Sequence, residues 1–228
     1  MLPIRDDAPR STTPYVTYFL IALNLVIYFF EWQLGPRDQA SFLSSFALIP
    51  LRVTSWVSGA APLNHVFFPF FSSMFLHANW PHVIVNVWFL AIFGDNVEDR
   101  LGHFPYMVFY LACGLAGNLA HFAFNVNSQA LAMGASGAIA GVMGAYFLLY
   151  PRARVLTWWV FFVLWLPAWL VLGYWFLWQF LSGVASVLPS SGQTGGIAFW
   201  AHVGGFACGL LLIKILPTRK DVYAFEDY

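Results

Sequence analysis

Met133-Gly134-Ala135-Ser136-Gly137-Ala138-Ile139-Ala140-Gly141-Val142-Met143-Gly144-Ala145-Tyr146-Phe147-Leu148-Leu149-Tyr150 carries no charge and only one strongly polar side chain short of its tyrosines. A run of this length approaches the ~20 helical residues needed to cross ~30 Å of hydrocarbon. A hydroxyl at that depth is costly and faces a bundle interior or a water-filled cavity, which makes Ser136 a functional candidate. A second apolar run, Ile197 to Leu216, holds His202 in Trp200-Ala201-His202-Val203-Gly204-Gly205. One nucleophile and one base are thus offered to each other from two segments that read as membrane spans.

The rest of the chain agrees with lipid as the solvent. Hydrophobic residues make up 60% of the 228 positions and charged residues 9%, and mean hydropathy is +0.70, outside the range of soluble domains. Tyr15 to Trp32 and Phe104 to Phe124 are further clear spans. Trp80 to Asn96 reads as another, preceded by Val66 to Leu76, which Pro69 and Ser72-Ser73 interrupt and which reads as a partly buried loop or interfacial helix. Val155 to Leu188 has no charge and is divided by Pro167 and Gly173. It reads as one tilted or kinked span followed by a hydrophobic loop, or as two short membrane segments.

The expected fold is therefore an all-α membrane protein with six crossings. It has a cytoplasmic N-terminal segment at 1–14, a membrane domain at 15–216 and a cytoplasmic, disordered tail at 217–228. With both termini inside, Arg5, Arg10, Arg100, Arg152, Arg154, Lys214, Arg219 and Lys220 fall on the cytoplasmic side, and only Arg37 and Arg52 fall outside. That asymmetry is what the positive-inside rule requires. A net charge of zero gives no reason to expect nucleic acid. The expected location is multi-pass in a bacterial plasma membrane, with no cleaved signal. Cys113 and Cys208 both fall inside spans and read as packing residues. No residue pattern speaks to an oligomeric state.

A serine hydroxyl needs an adjacent base to become a nucleophile. Between Asp99 and Asp221 the chain has no Asp or Glu, so the pair Ser136 and His202 lacks a carboxylate to orient the imidazole and reads as a dyad. Gly137, Gly141 and Gly144 on one span, and Gly205 and Gly209 on the other, are spaced to let the two helices approach closely. The plain alternative is that these glycines serve packing alone. His82 and Asn86 lie four residues apart on one helix face and carry donors suited to an oxyanion, or else bond between helices as structural glue. His-Glu-x-x-His is absent, so no metal or other cofactor is expected. Gly134-Ala135-Ser136-Gly137-Ala138 also departs from the Gly-x-Ser-x-Gly elbow of soluble hydrolases.

Four elements together resemble the rhomboid intramembrane serine proteases, over about Phe67 to Leu216. They are His82-x-x-x-Asn86, Glu98-Asp99-Arg100-Leu101-Gly102, Gly134-Ala135-Ser136-Gly137, and Ala201-His202-x-x-Gly205-x-x-x-Gly209. The resemblance implies a six-transmembrane-helix rhomboid bundle opening to the non-cytoplasmic side. It implies Ser136 as nucleophile and His202 as general base, with His82, Asn86 and the Ser136 N–H as the oxyanion hole. Substrates would be transmembrane proteins in the lipid bilayer, admitted laterally near the second and fifth spans. Two departures stand out: Phe68-Pro69 where many members have Trp-Arg, and Ala140 where some place a tyrosine against the histidine. Support for His202 is then expected from elsewhere, the aromatic-rich fifth span being the candidate. An inactive rhomboid-like escort protein, or a transporter, is the competing class.

Overall fold

The computed structural model describes residues 1–57, 59, 64–187 and 198–219. Among them the chain folds as β1 (Leu2–Asp6), α1 (Tyr15–Gln33), α2 (Pro36–Phe46), α3 (Pro50–Val57), α4 (Asn64–Ser72), a 3-10 turn (Ser73–Phe75), α5 (Trp80–Leu101), α6 (His103–Phe124), α7 (Ser136–Leu149), β2 (Arg154–Trp159), β3 (Phe162–Pro167), α8 (Ala168–Ser186) and α9 (Phe199–Ile215). The predicted span ends at Leu188 and Ile197, and the tail beyond Arg219, lie outside the described residues.

By length and hydropathy α1, α6 and α8 can cross a membrane, and the segment Val66–Phe75 joins α5 as a fourth, bent by 78°. The stretch ahead of the second span, expected as a partly buried loop or an interfacial helix, is thus helical as far as Phe75. α7 and α9 are apolar but shorter, so a count of six needs both of them to cross as well.

The expectation of an all-α chain is corrected by a three-stranded antiparallel sheet in the order β1-β2-β3. Leu2 to Asp6 pairs with Val155 to Trp158, and Arg154–Trp159 pairs with Phe162–Pro167. Residues 155–166 are dominated by β-branched and aromatic side chains, which favour a pleated surface, and Val160 closes the hairpin at φ +55. Only from Ala168, after Pro167 at the cap, does the helix start. The N-terminal segment is likewise no loose end. Trp88 Nε1 donates to Pro3 O at 2.9 Å, and Tyr146 Oη donates to Asp6. Burial, with Asp95 nearby, pushes the Asp6 carboxyl up to about 6.

The base of the bundle is fixed by two carboxylates of α5. Helix α1 has Pro14 at its cap and no capping side chain of its own, which leaves its first N–H groups without acceptors inside the helix. The fully buried Glu98 accepts from Val16 N–H at 2.9 Å and from Thr17 N–H and Oγ1–H at 2.7 Å each. Asp99 receives Ser11 and Thr12. Gly102, at φ +81, ends α5 and opens α6, a turn that β-carbons disfavour.

The centre is α7, which packs most extensively against α9 and α6. A β-carbon added to Gly205 would stand 1.9 Å from Gly137 O, and one on Gly209 2.0 Å from Gly141 O. The two helices therefore meet backbone to backbone, as the glycine spacing predicts. Cys113 is buried against Gly141, the packing role expected of it.

Candidate active site

Ser136 is the first residue of α7. The chain reaches it through a fixed approach: Leu48 and Ala132 exchange backbone hydrogen bonds at 3.0 and 2.8 Å, and Gly134 N–H donates to Ser73 O at 2.8 Å. Gly134 adopts φ +131, a conformation open to glycine and not to a β-carbon. This sharp turn starts the helix at Ser136 rather than at Met133. It leaves the first-turn N–H groups, that of Ser136 included, without intrahelical acceptors and at the positive end of the helix dipole.

His202 sits one turn into α9, and its Nε2 lies 2.8 Å from Ser136 Oγ. The separation is that of a direct hydrogen bond from hydroxyl to imidazole. On the other side of the ring, Nδ1 lies 2.7 Å from Oε1 of Gln179 on α8. Trp175, one turn earlier on the same helix, sets its ring 5.7 Å from the imidazole at an interplanar angle of 38°. The support anticipated for His202 from the aromatic-rich segment after Val155 is therefore present on α8, but its polar member, Gln179, was not singled out by the sequence. A lone glutamine in a helix of tryptophans and leucines was its only signal.

His82 and Asn86 share one face of α5. Asn79 Oδ1 caps this helix by accepting from His82 N–H at 2.9 Å. A β-carbon on Gly134 would lie 2.9 Å from His82 Nε2 and 3.5 Å from Ser136 Oγ, so imidazole and hydroxyl border one small space above that glycine. Asn86 is 5% exposed, and its Nδ2 is buried with no acceptor in the structure. A buried amide donor without a partner is uncommon in a finished fold, and this one stands on the same helix face as His82. Behind them, His77 packs edge-on against His82 with centroids 5.1 Å apart, and its backbone N–H donates to Glu31 at 3.3 Å. His77 and Glu31 are further buried groups at this site that sequence reasoning passed over.

Among the described residues no group of three metal-ligating side chains comes together. What the arrangement can do is transfer a serine proton to an imidazole and present donors from α5, and from the first turn of α7, to an adjacent carbonyl oxygen.

Residues 64–219 match the family described as Rhomboid domain. The chain is 29% identical over 206 residues to Rhomboid protein 1, mitochondrial, of Saccharomyces cerevisiae, covering 86% of this chain and 51% of that protein. It is 25% identical over 234 residues to RHOMBOID-like protein 1 of Arabidopsis thaliana, covering 94% and 56%. With Rhomboid protease GluP of Bacillus subtilis it shares 30% identity over 141 residues, covering 62% and 25%. The chain thus spans about half or less of the length of these relatives.

Proposed function

This chain belongs to the rhomboid family, and on that footing we propose that it is a serine endopeptidase that cleaves membrane proteins within or near their transmembrane segments, with Ser136 and His202 as its dyad. The observation that carries the reading is the 2.8 Å contact between Ser136 Oγ and His202 Nε2, made between two apolar helices, where polar side chains are rare and mark functional sites. An inactive escort protein would keep the bundle without needing that contact.

In this reading Ser136 Oγ attacks the scissile carbonyl carbon as its proton passes to His202 Nε2. The carbonyl oxygen takes up the negative charge facing His82, Asn86 Nδ2 and the Ser136 N–H. Collapse expels the amine, which receives the proton from Nε2, and a water molecule then repeats the sequence on the acyl-enzyme.

All six apolar helices cross in this proposal, with both termini on the cytoplasmic side where eight of the ten basic residues gather. A helix of 14 residues spans roughly 21 Å. With Tyr150 at the inner face, Ser136 stands below the outer surface.

The test is co-expression with a panel of single-span membrane proteins. The parent should cleave at least one, and Ser136→Ala, His202→Ala and the double variant should cleave none at equal protein level, since coupled catalytic residues fail together. Cleavage by Ser136→Ala would end the serine mechanism.

A further inference from the structure

We propose that Gln179 is the positioning residue for His202, an uncharged amide holding the place that a carboxylate holds in a Ser-His-Asp triad. The proposal rests on the dyad reading above and deepens it. Gln179 Oε1 lies 2.7 Å from Nδ1, while Nε2 lies 2.8 Å from Ser136 Oγ. A neutral imidazole carries one proton, and a carbonyl oxygen can only accept. The Gln179 contact therefore puts that proton on Nδ1 and leaves the lone pair of Nε2 aimed at the serine hydroxyl, the tautomer a general base needs.

Three further observations fit an orienting role. Gln179 is 9% exposed in a helix that is apolar and aromatic from Ala168 up to it, its serines, Ser182 and Ser186, lying in the last two turns, and an amide without a partner there is costly. Trp175 and Gln179 are four residues apart on α8, hence on one helix face, so this helix supplies both a ring against the imidazole and an acceptor at its edge. Ala140, one turn after Ser136, brings no ring from α7.

An amide also suits the depth. A carboxylate beside His202 would have to be desolvated, and it would raise the proton affinity of the imidazole, so that the base form is reached only at higher pH. The amide orients the ring and adds no charge. The titratable groups acting on His202 are His82 on α5 and His121 on α6. Among the described residues no carboxylate joins them.

Gln179→Met keeps the length and apolar bulk and removes the acceptor. Turnover should fall at least on the order of 10- to 100-fold, the loss that follows removal of the hydrogen-bond partner orienting a metal-bound histidine, with KM unchanged. Gln179→Glu restores an acceptor but adds a charge, so it should recover much of the rate while moving the acid limb of the kcat/KM profile to higher pH, because a carboxylate favours the imidazolium. Melting temperatures of both variants are taken in the same detergent. A Gln179→Met protein with parental kcat, parental pH profile and only a lowered melting temperature would make Gln179 helix glue and overturn the proposal while Ser136→Ala stayed inert. If Gln179→Met does not fold, the pH limb of Gln179→Glu decides alone: an unmoved limb overturns the proposal. Cleavage by Ser136→Ala would instead remove the dyad, and the positioning role with it.

Discussion

The α7–α9 seam and the α5–α8 gap flank the same histidine and serine, yet they are built from opposite materials. In the seam, glycines face carbonyl oxygens, and no side chain separates Gly205 from Gly137 or Gly209 from Gly141. In the gap, Phe89 of α5 and Trp175 and Trp178 of α8 surround a cavity of about 270 Å³ that Met1 and Pro3 help to close. Backbone against backbone has nowhere to move, whereas rings can change rotamer. The seam holds the hydroxyl and imidazole in register, and any adjustment around them falls to the side with the rings.

The sharpest test of that contrast is one substitution made in both places. Gly205→Ala puts a β-carbon into Gly137 O with no flexible neighbour to yield. It should cost about 4 kcal/mol or more, seen as loss of folded protein in detergent. Gly173→Ala, in α8, meets only Phe147 at 3.7 Å and should stabilise that helix by about 0.5 to 1 kcal/mol. Equal effects at the two sites would erase the distinction.

Asn86→Ala comes next and separates rate from stability. Loss of one oxyanion donor lowers turnover by on the order of 10²- to 10³-fold, about 3 to 4 kcal/mol of barrier. Nδ2 has no acceptor in the structure, so melting should scarcely change. A large stability loss with retained turnover would make Asn86 part of the scaffold.

Trp88→Phe acts on the ring-lined side by removing the donor to Pro3 O. It should lower stability by about 1 kcal/mol and leave turnover unchanged or raised, and a fall in turnover at constant protein level would contradict the loose character of the gap.

The smallest effect lies at Asp6. Its folded pKa of about 6 stands above the ordinary 3.8, so between these values the folded protein binds the proton more tightly than the unfolded chain does. Stability therefore declines as pH rises through 4 to 6, and the loss persists at neutral pH. Asp6→Asn, which can still accept from Tyr146, should flatten the melting temperature over that window. A parallel drop at pH 4 and pH 7 would count against this.

What the sequence made legible follows from contrast. Ser136 and His202 stood out because polar groups in apolar runs are expensive, and the seam was readable because glycine spacing maps directly onto helix faces. The hairpin at 154–167 was not, because an uncharged run of Val, Leu, Trp and Phe satisfies a helix and a strand alike, and its strand partner Leu2–Asp6 lies about 150 residues away. Gln179 escaped for a related reason: its partner is 23 positions distant, and no local period joins an amide on one helix to a histidine on another. Glu31 and His77 meet across 46 positions, equally beyond any local pattern.

The first strand has a practical bearing on how the protein is handled. Met1 lines the cavity between α5 and α8, and Leu2 is already paired with Trp158. Anything fused ahead of Met1 emerges beside Phe89 and Trp178 and must thread past them or pull the strand free. A purification tag at that end is thus a perturbation of the gap as much as a handle, on the side of Trp175, whose ring packs against His202.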